Sequence, residues 1–246
     1  MSATVQRMVT IADEVTPLTP ASASPFDALP EAARAALRTI GREREFARGE
    51  LIIAQGARCA GFHVLLAGRA KMVRDLVAGR TVLLGLFAPG ELFATAPALS
   101  GESSDAAIVA LEPCRTLEIE REALLARLVE DPSLLGLLLP ALAGHHVECR
   151  NCIVELAGYR VEARFALLFL RLAREVGEPQ GGEVRIPVRL TRQELADLAG
   201  TTLETAIRVF SRWHQAGLLE THPEGFLLRD VAALERAADG AATLHG

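Results

Sequence analysis

The sequence predicts an α+β chain with an N-terminal antiparallel β-roll of the jelly-roll type, a long helix and a C-terminal winged helix-turn-helix. Three observations predict this fold. Short apolar runs separated by Gly or Pro recur about every ten residues between residues 43 and 119, which is typical of a β-sandwich or barrel. From residue 121 onwards, apolar residues recur at helical spacing. Residues 191–228 contain two short helical segments joined by a glycine turn and followed by a hairpin.

These patterns divide the chain into four predicted segments. They are a flexible arm (residues 1–24), the β-roll (residues 25–132), the long helix (residues 133–160) and the winged domain (residues 161–246). The arm is rich in Pro, Ser, Ala and Thr and has no periodic apolar pattern. Residues 26–40 have apolar residues at helical spacing and predict a short helix.

The bulk composition favours a cytoplasmic protein that crosses no membrane. No stretch of the 246 residues is apolar for long enough to form a membrane helix, and the N-terminus has no secretory apolar region. The net charge of −5 disfavours non-specific coating of nucleic acid, but it leaves room for a specific reader with locally concentrated arginines. The four cysteines are expected to be mostly reduced in the cytoplasm.

In the β-roll, five glycines mark the predicted tight turns, where a positive φ costs glycine less than other residues. They are Gly49, Gly56, Gly68, Gly79 and Gly90. After the β-roll, Arg121 to Glu130 predicts a helix. Asp131 and Pro132 end that helix and begin the next one, because Asp can cap a helix and Pro fits its first turn.

The long helix has one apolar seam with a spacing close to a heptad repeat. The seam consists of Leu135, Leu139, Leu142, His146, Cys149, Ile153 and Leu156. A long helix with one such seam needs a partner, and a two-fold copy of itself is the simplest partner. The sequence therefore predicts a homodimer.

The winged domain begins with a helix over residues 161–176, a turn at residues 178–182 and a short strand at residues 184–188. Thr191 and Glu194 form a capping-box pattern at the start of the next helix, which ends at Gly200. A second helix is predicted over residues 202–216, and residues 218–228 predict a hairpin that turns at residues 223–225.

The helix over residues 202–216 is the predicted DNA-reading element. Its periodicity buries Ala206, Val209, Phe210 and Trp213, while Glu204 and Arg208 project together from the other side. In a major groove, Arg can bond guanine and Glu can accept from cytosine, so this pair suits a G·C-containing step. Thr191, Arg192 and Arg212 are better placed for phosphates. The predicted DNA-binding residues are Thr191, Arg192, Thr202, Leu203, Glu204, Thr205, Ile207, Arg208 and Arg212.

Residues 190–208 resemble the recognition segment of the CRP/FNR family, which has the pattern L-T-x-x-E-L-A-x-x-x-G-x-(T/S)-x-E-T-x-x-R. The segments RGELIIAQG, VLLAGRAKM and FAPGELF are similar to the glycine turns of that family's β-roll, and the resemblance covers about residues 26–238. It implies a cyclic-nucleotide-binding-like β-roll and a dimeric transcription regulator that binds a palindromic DNA site and contacts RNA polymerase.

Two positions differ between branches of the family. Leu203 stands where the catabolite-activator branch has a guanine-reading arginine and the oxygen-responsive branch has a small apolar residue. It therefore favours a TTGA-like half-site. Ile207 stands where the oxygen-responsive branch has a serine; isoleucine cannot hydrogen-bond a base, but it can contact a thymine methyl group.

The resemblance also bears on cyclic nucleotides. Members that bind them have a Gly-Glu pair and an Arg-Ser pair, and the aligned positions here are Ala94-Thr95 and approximately Ser104-Asp105. No arginine lies between Arg80 and Arg115, so a buried phosphate would lack a cation. Binding of cyclic AMP is therefore not expected. A cyclic-nucleotide-responsive, CRP-like regulator remains the alternative.

The cysteines suggest a different signal. His145, His146, Cys149 and Cys152 lie close together on the long helix, and a two-fold axis would double this set. Zinc, an iron–sulfur cluster, haem or an inter-subunit disulfide would suit these side chains. The equally weighted alternative is that they only pack at the seam or beside it. Cys114 is predicted to be a small core residue and Cys59 a solvent-facing thiol, and no cysteine precedes Cys59.

An enzyme is disfavoured, because the sequence has no nucleophile elbow, P-loop, dinucleotide-binding glycine motif or HExxH motif. A cyclic-nucleotide-binding regulatory subunit that acts on protein partners is a second alternative. Such a subunit would not need the pair formed by Glu204 and Arg208.

Overall fold

Two antiparallel four-stranded sheets form the β-roll of the N-terminal half. The computed structural model describes residues 24–77 and 79–239, so the predicted arm lies outside these ranges except for Ser24. The strands are β1 Gly41–Phe46, β2 Leu51–Ile53, β3 Gly61–Ala67, β4 Ala70–Asp75, β5 Thr81–Phe87, β6 Leu92–Phe93, β7 Ala107–Ala110 and β8 Cys114–Glu120. One sheet has the order β1-β8-β3-β6 and the other β2-β7-β4-β5. Side chains of both sheets, such as Phe62 and Ile108, meet in one core.

Tight glycine turns connect these strands. All five predicted turn glycines have a positive φ. Gly68 also has a packing reason, because an added Cβ would lie 2.2 Å from the carbonyl oxygen of Pro113. The β-roll therefore depends at this point on the absence of a side chain as well as on backbone freedom.

Within the described residues, the helices that accompany the β-roll are α1 Glu31–Ile40, α2 Thr95–Ser100, α3 Arg121–Glu130 and α4 Leu135–Gly158. A 3₁₀ turn over Pro132–Leu134 separates α3 from α4, and Asp131 caps it by accepting from the amide of Ser133. Leu137 and Leu138 anchor the start of α4 in the β-roll core. Most of α4 beyond residue 142 is exposed within one chain.

The C-terminal half is a winged helix-turn-helix with its own core. It contains α5 Val161–Val176, β9 Glu178–Gln180, β10 Glu183–Ile186, α6 Arg192–Leu198, α7 Leu203–Gln215, β11 Leu219–His222, β12 Gly225–Leu228 and α8 Val231–Asp239. The four strands form a sheet in the order β11-β12-β10-β9. The predicted fold class, the helices over residues 121–130 and 161–176 and the C-terminal hairpin are thus confirmed.

Three local predictions are wrong. The first helix begins at Glu31 rather than residue 26, because Pro30 disfavours the helical conformation in the residue before it. Residues 178–182 are not all turn: Glu178–Gln180 pairs with β10, and only Gly181 and Gly182 make the reversal. Cys59 is not a solvent-facing thiol. It is 8% exposed and packs in the β-roll core, where burial raises its pKa.

Candidate nucleic-acid interface

Side-chain caps fix the start of both helices of the helix-turn-helix. The hydroxyl of Thr191 accepts from the amide of Glu194 at 3.1 Å, and the Glu194 carboxylate accepts from the amide of Thr191 at 2.8 Å. This is the predicted capping box. Gly200, at φ 60°, makes the turn, and Thr202 then caps α7 by accepting from the amide of Thr205. The short sequence between the helices therefore sets their relative orientation.

The inner side of α7 packs into an aromatic cluster. Ala206, Val209, Phe210 and Trp213 are buried as predicted. The ring of Phe210 lies edge-on to Phe165 with a centroid distance of 4.9 Å. The Trp213 indole nitrogen donates to Glu162 at 2.9 Å, so its polar atom is satisfied inside the domain. These contacts anchor α7 to α5.

The outer side of α7 is open in this chain. Glu204, Ile207 and Arg208 are exposed, and Leu203 is half-buried. The only hydrogen bond of the Arg208 side chain among the described residues is a long one, 3.4 Å, to the hydroxyl of Thr205. The backbone N–H of Glu204 and then the Thr202 hydroxyl hold the pKa of the Glu204 carboxyl group below its ordinary value. An acid and a guanidinium therefore project side by side from this surface.

The two arginines predicted to contact phosphate make hydrogen bonds within the winged domain. The Arg192 guanidinium stacks 4.4 Å from the centroid of Phe210 and donates to the Thr221 hydroxyl at 2.7 Å. Burial lowers its pKa. Arg212 donates to Glu162 at 2.7 Å, although both side chains remain exposed. Arg208 is therefore the freest of the three predicted DNA-contacting arginines.

Two side chains at the wing have no signal in the sequence pattern. In the structure, His222 lies at the exposed end of β11, and Arg189 next to the wing pairs with Glu224. Both lie beside the start of α6, on the walls of a cleft of about 350 Å³ between the β-roll and the winged domain. The turn signal at residues 223–225 pointed to this region but not to these side chains.

The cysteine and histidine set on α4 is exposed. Cys149 and Cys152 are both accessible, and the Cys149 sulfur lies 3.8 Å from Nε2 of His145. Burial and then the carboxylate of Glu155 raise the pKa of Cys152. Within the described ranges of one chain, no group of three or more His, Cys, Asp or Glu side chains is placed to hold a metal ion. Cys114 is buried in the core, as predicted.

The positions aligned with a cyclic-nucleotide site have other contacts. Ala94 adopts a left-handed conformation, with φ 60°, at the start of α2. The Ser104 hydroxyl is buried and donates to the carbonyl of Ala106 at 2.7 Å. Asp105 accepts from Arg74 at 3.1 Å. At this aligned position a carboxylate therefore pairs with a guanidinium from β4, a cation that the sequence interval between Arg80 and Arg115 did not indicate.

Two family models match this chain, one for each half. A cyclic nucleotide-binding domain matches residues 43–131, and a Crp-like helix-turn-helix domain matches residues 163–237, which include α6 and α7. The chain is 26% identical over 218 residues to the "CRP-like cAMP-activated global transcriptional regulator" of Mycobacterium tuberculosis, with 89% of this chain and 97% of the relative covered. The chain belongs to the CRP/FNR family of transcription regulators.

Further relatives show the breadth of this CRP/FNR family. The "Nitrogen fixation regulation protein FixK" of Azorhizobium caulinodans is 26% identical over 210 residues, with 84% of each chain covered. The structure of FixK2 from Bradyrhizobium japonicum has the same fold, with a TM-score of 0.70, 21% identity, and 80% and 97% of the two chains covered. A CooA mutant from Carboxydothermus hydrogenoformans has a TM-score of 0.73 at 17% identity, with 90% and 98% covered.

The CRP/FNR assignment agrees with the predicted DNA-binding helix-turn-helix and with a role in transcription regulation. In the two described ranges, no helix combines the length and apolar character that spanning a membrane requires.

Proposed function

We propose that this regulator acts as a homodimer that binds a palindromic DNA site through both copies of α7. The observation that carries the proposal is the outer face of α7, where Glu204 and Arg208 project together from a helix whose other side is anchored by Phe210 and Trp213. Arg pairs with guanine in bidentate geometry and Glu accepts from cytosine N4, so the two side chains suit one G·C-containing step.

The dimer forms through α4, whose exposed apolar seam packs against the same seam of a second copy of this chain. Four seam residues, Leu135, Leu139, Ile153 and Leu156, are large apolar side chains exposed in one chain. Their spacing, together with Leu142 and Cys149, is that of a coiled-coil seam. A two-fold axis along α4 would place the two α7 helices on one side of the dimer. From there they can enter successive major grooves of one duplex, which are roughly 34 Å apart.

The half-site is TTGA-like. Leu203 favours it over the half-site of the catabolite-activator branch, and Ile207 contacts a thymine methyl group. Thr202 and Thr205 lie beside them at the start of α7. Arg192 and Arg212 each use one hydrogen bond inside the domain, so their remaining donors, together with Thr191, contact the DNA backbone. A regulator of this kind acts on DNA in the cytoplasm. Its expected protein partner there is RNA polymerase.

Selection from random-sequence duplexes, followed by mobility shift at fixed salt concentration, tests this proposal. Arg208→Ala is expected to weaken binding to the selected site by about 1–3 kcal/mol and to relax the choice at one base pair. Arg236→Ala, at an exposed arginine on α8, is the matched control and should bind like wild type. Equal affinity of Arg208→Ala and wild type for the preferred site would refute the assigned role of α7.

The signal is proposed to act at α4 and not to be a cyclic nucleotide. His145, His146, Cys149 and Cys152 supply nitrogen and sulfur donors that two copies of α4 would bring together. A redox change, a metal, an iron–sulfur cluster or haem with a gas ligand would each suit such donors. The names of relatives such as the cAMP-activated regulator support the alternative, a cyclic-nucleotide-responsive protein.

Two measurements separate these signals. Metal content and absorption spectra of anaerobically purified wild type should differ from those of the Cys149→Ser/Cys152→Ser double variant, as should DNA binding in oxidised and reduced buffers. Identical results would remove the α4 site. Calorimetry with cyclic AMP should show no binding, and micromolar affinity would instead favour the alternative.

A further inference from the structure

The β4–β5 hairpin of the β-roll is joined to the first helix of the helix-turn-helix by polar contacts. On β4, the ammonium of Lys71 lies 2.7 Å from Oε1 of Glu194 on α6. Just before β5, Arg80 lies 3.0 Å from Oδ1 of Asp197 on α6. The amide of Leu83 points to the other oxygen of Asp197 at 3.4 Å. One face of α6 is thus bound at two successive turns by side chains of the other domain.

Three of the four charged side chains are largely shielded from solvent, whereas the side chain of Arg80 is 56% exposed. The side chain of Asp197 is only 3% exposed, and those of Glu194 and Lys71 are 17% and 25% exposed. Removing one partner of such a pair leaves a charge buried without compensation, which makes a shielded pair costly to break from one side. Burial pushes the pKa of Glu194 up, but Lys71 and Thr191 outweigh burial, and the pKa lies below its ordinary value.

An apolar contact joins the same two elements. Leu83 of β5 is buried in the core of the winged domain, together with Leu195 and Ala196 of α6. Val73 and Leu86 of the hairpin pack against that core. The hairpin is therefore a part of the packing of the winged domain as well as a strand pair of the β-roll.

The docked hairpin leaves the DNA-reading side of α7 open. Glu204, Ile207 and Arg208 are exposed, and no hydrogen bond or ion pair joins them to the β-roll in the described part of the chain. The domains thus meet through α6 while α7 faces away. A contact that held the helix-turn-helix in an inactive position by covering it would instead bury this surface.

We propose that the β4–β5 hairpin is a clamp that holds the helix-turn-helix in its DNA-competent position, with Lys71–Glu194 and Arg80–Asp197 as its lock. The inference rests on the proposed DNA-binding function. A change in the β-roll that moves the hairpin would then shift α6 and α7 directly, without passing through the junction between α4 and α5. Such a change acts on DNA affinity through the fraction of molecules that are clamped.

The test uses variants on the β-roll side only, so that the DNA-binding domain keeps its own sequence. The clamp variant is Lys71→Gln/Arg80→Ala in the full chain. The matched control is Arg74→Ala, on the same hairpin, whose side chain pairs with Asp105 inside the β-roll. Lys71 is the only lysine of the sequence, so a zero-length carbodiimide cross-link between Lys71 and Glu194 gives one identifiable peptide.

In wild type we expect the Lys71–Glu194 cross-link and slow hydrogen exchange in α6. The clamp variant should exchange at least tenfold faster in α6 and bind the selected duplex at least tenfold more weakly, while the control matches wild type. Absence of the cross-link, unchanged exchange in the variant, or tighter DNA binding by the variant would overturn the clamp. If wild type binds no duplex, the proposed function fails, and the cross-link and exchange still decide whether the hairpin holds α6.

Discussion

Helices α7 and α4 both expose one side, but they expose opposite kinds of side chain. Helix α7 buries Phe210 and Trp213 and presents an acid and an arginine to solvent. Helix α4 buries two leucines near its start and presents Leu139 and Ile153 to solvent. An amphipathic helix with its apolar side covered is complete within its domain. The difference teaches that α7 is finished within one chain, whereas α4 requires another surface.

The two helices also differ in whether the charged and polar groups around them have partners within the chain. On α7, Arg212 and Trp213 share the carboxylate of Glu162, so that each polar group has a partner. Beside α4, burial is the main cause that raises the pKa of Glu91 and of Glu175, and the carboxylate of Glu148 raises both further. The polar groups where α7 meets α5 are compensated within the chain, whereas the surroundings of α4 include like charges.

The largest effect is expected on the buried side of α7. Trp213→Ala should lower the free energy of unfolding of the winged domain by about 3–5 kcal/mol, because it leaves a large cavity and removes the donor to Glu162. Trp213→Phe keeps a ring and should lose less. Since Trp213 is the only tryptophan, circular dichroism and hydrogen exchange are the measurements of choice. A loss below about 1 kcal/mol would mean that α7 is not anchored by its aromatic side.

The next effect tests whether α4 is unfinished. Ile153→Arg places a charge on the proposed seam and should weaken the dimer by roughly 100-fold or more, because that charge would be buried without a partner. Asn151→Arg adds the same side chain away from the seam and should leave the dimer intact. Sedimentation equilibrium measures both. A monomeric wild type, or equal dimer affinity for the two variants, would show that the apolar seam of α4 does not form the dimer.

A pH effect sharpens the charge difference. Burial first, then Glu175 and Glu148, raise the pKa of Glu91 to about 7 from its usual 4.5. A carboxyl group whose pKa is raised by folding destabilises the fold once it ionises, so the cost is absent below about pH 4.5, grows between pH 4.5 and about 7, and is fully present above that range. Glu91→Gln should therefore stabilise the chain at pH 8, on the order of 3 kcal/mol, and by less than about 1 kcal/mol at pH 5.

Denaturant titrations of wild type and Glu91→Gln at the two pH values measure this effect. Glutamine keeps an oxygen that can accept from the amide of Ala88, as Glu91 does at 2.7 Å. Glu50→Gln is the control, because Glu50 makes the same turn contact with the amide of Ala47 at an exposed position. A stability difference that did not depend on pH would show that ionisation of Glu91 costs the fold nothing.

Features set by local sequence could be predicted for this chain, whereas features set by distant contacts could not. The buried set Ala206, Val209, Phe210 and Trp213 was predictable, because local helical period, caps and a glycine turn all agree over a short segment. The burial of Cys59 was not, because it lies in the short turn segment GARCAG, which has no periodic apolar pattern, and only the packing of the β-roll covers it. The pairs Lys71–Glu194 and Arg80–Asp197 join residues more than a hundred positions apart, which no local pattern indicates.

The smallest effect concerns the cap that starts α7. The Thr202 hydroxyl accepts from the amide of Thr205, and Thr202→Ala leaves that amide without its side-chain partner. The expected loss is about 1 kcal/mol in the stability of the winged domain, and Thr202→Ser should recover most of it, because serine keeps the hydroxyl. Hydrogen exchange in the first turn of α7 measures the change. The Thr202 hydroxyl is also one of the groups that lower the pKa of Glu204. If it positions Glu204, Thr202→Ala should weaken DNA binding by more than the loss in folding stability. If it acts only as a helix cap, DNA binding and folding stability should fall by similar amounts.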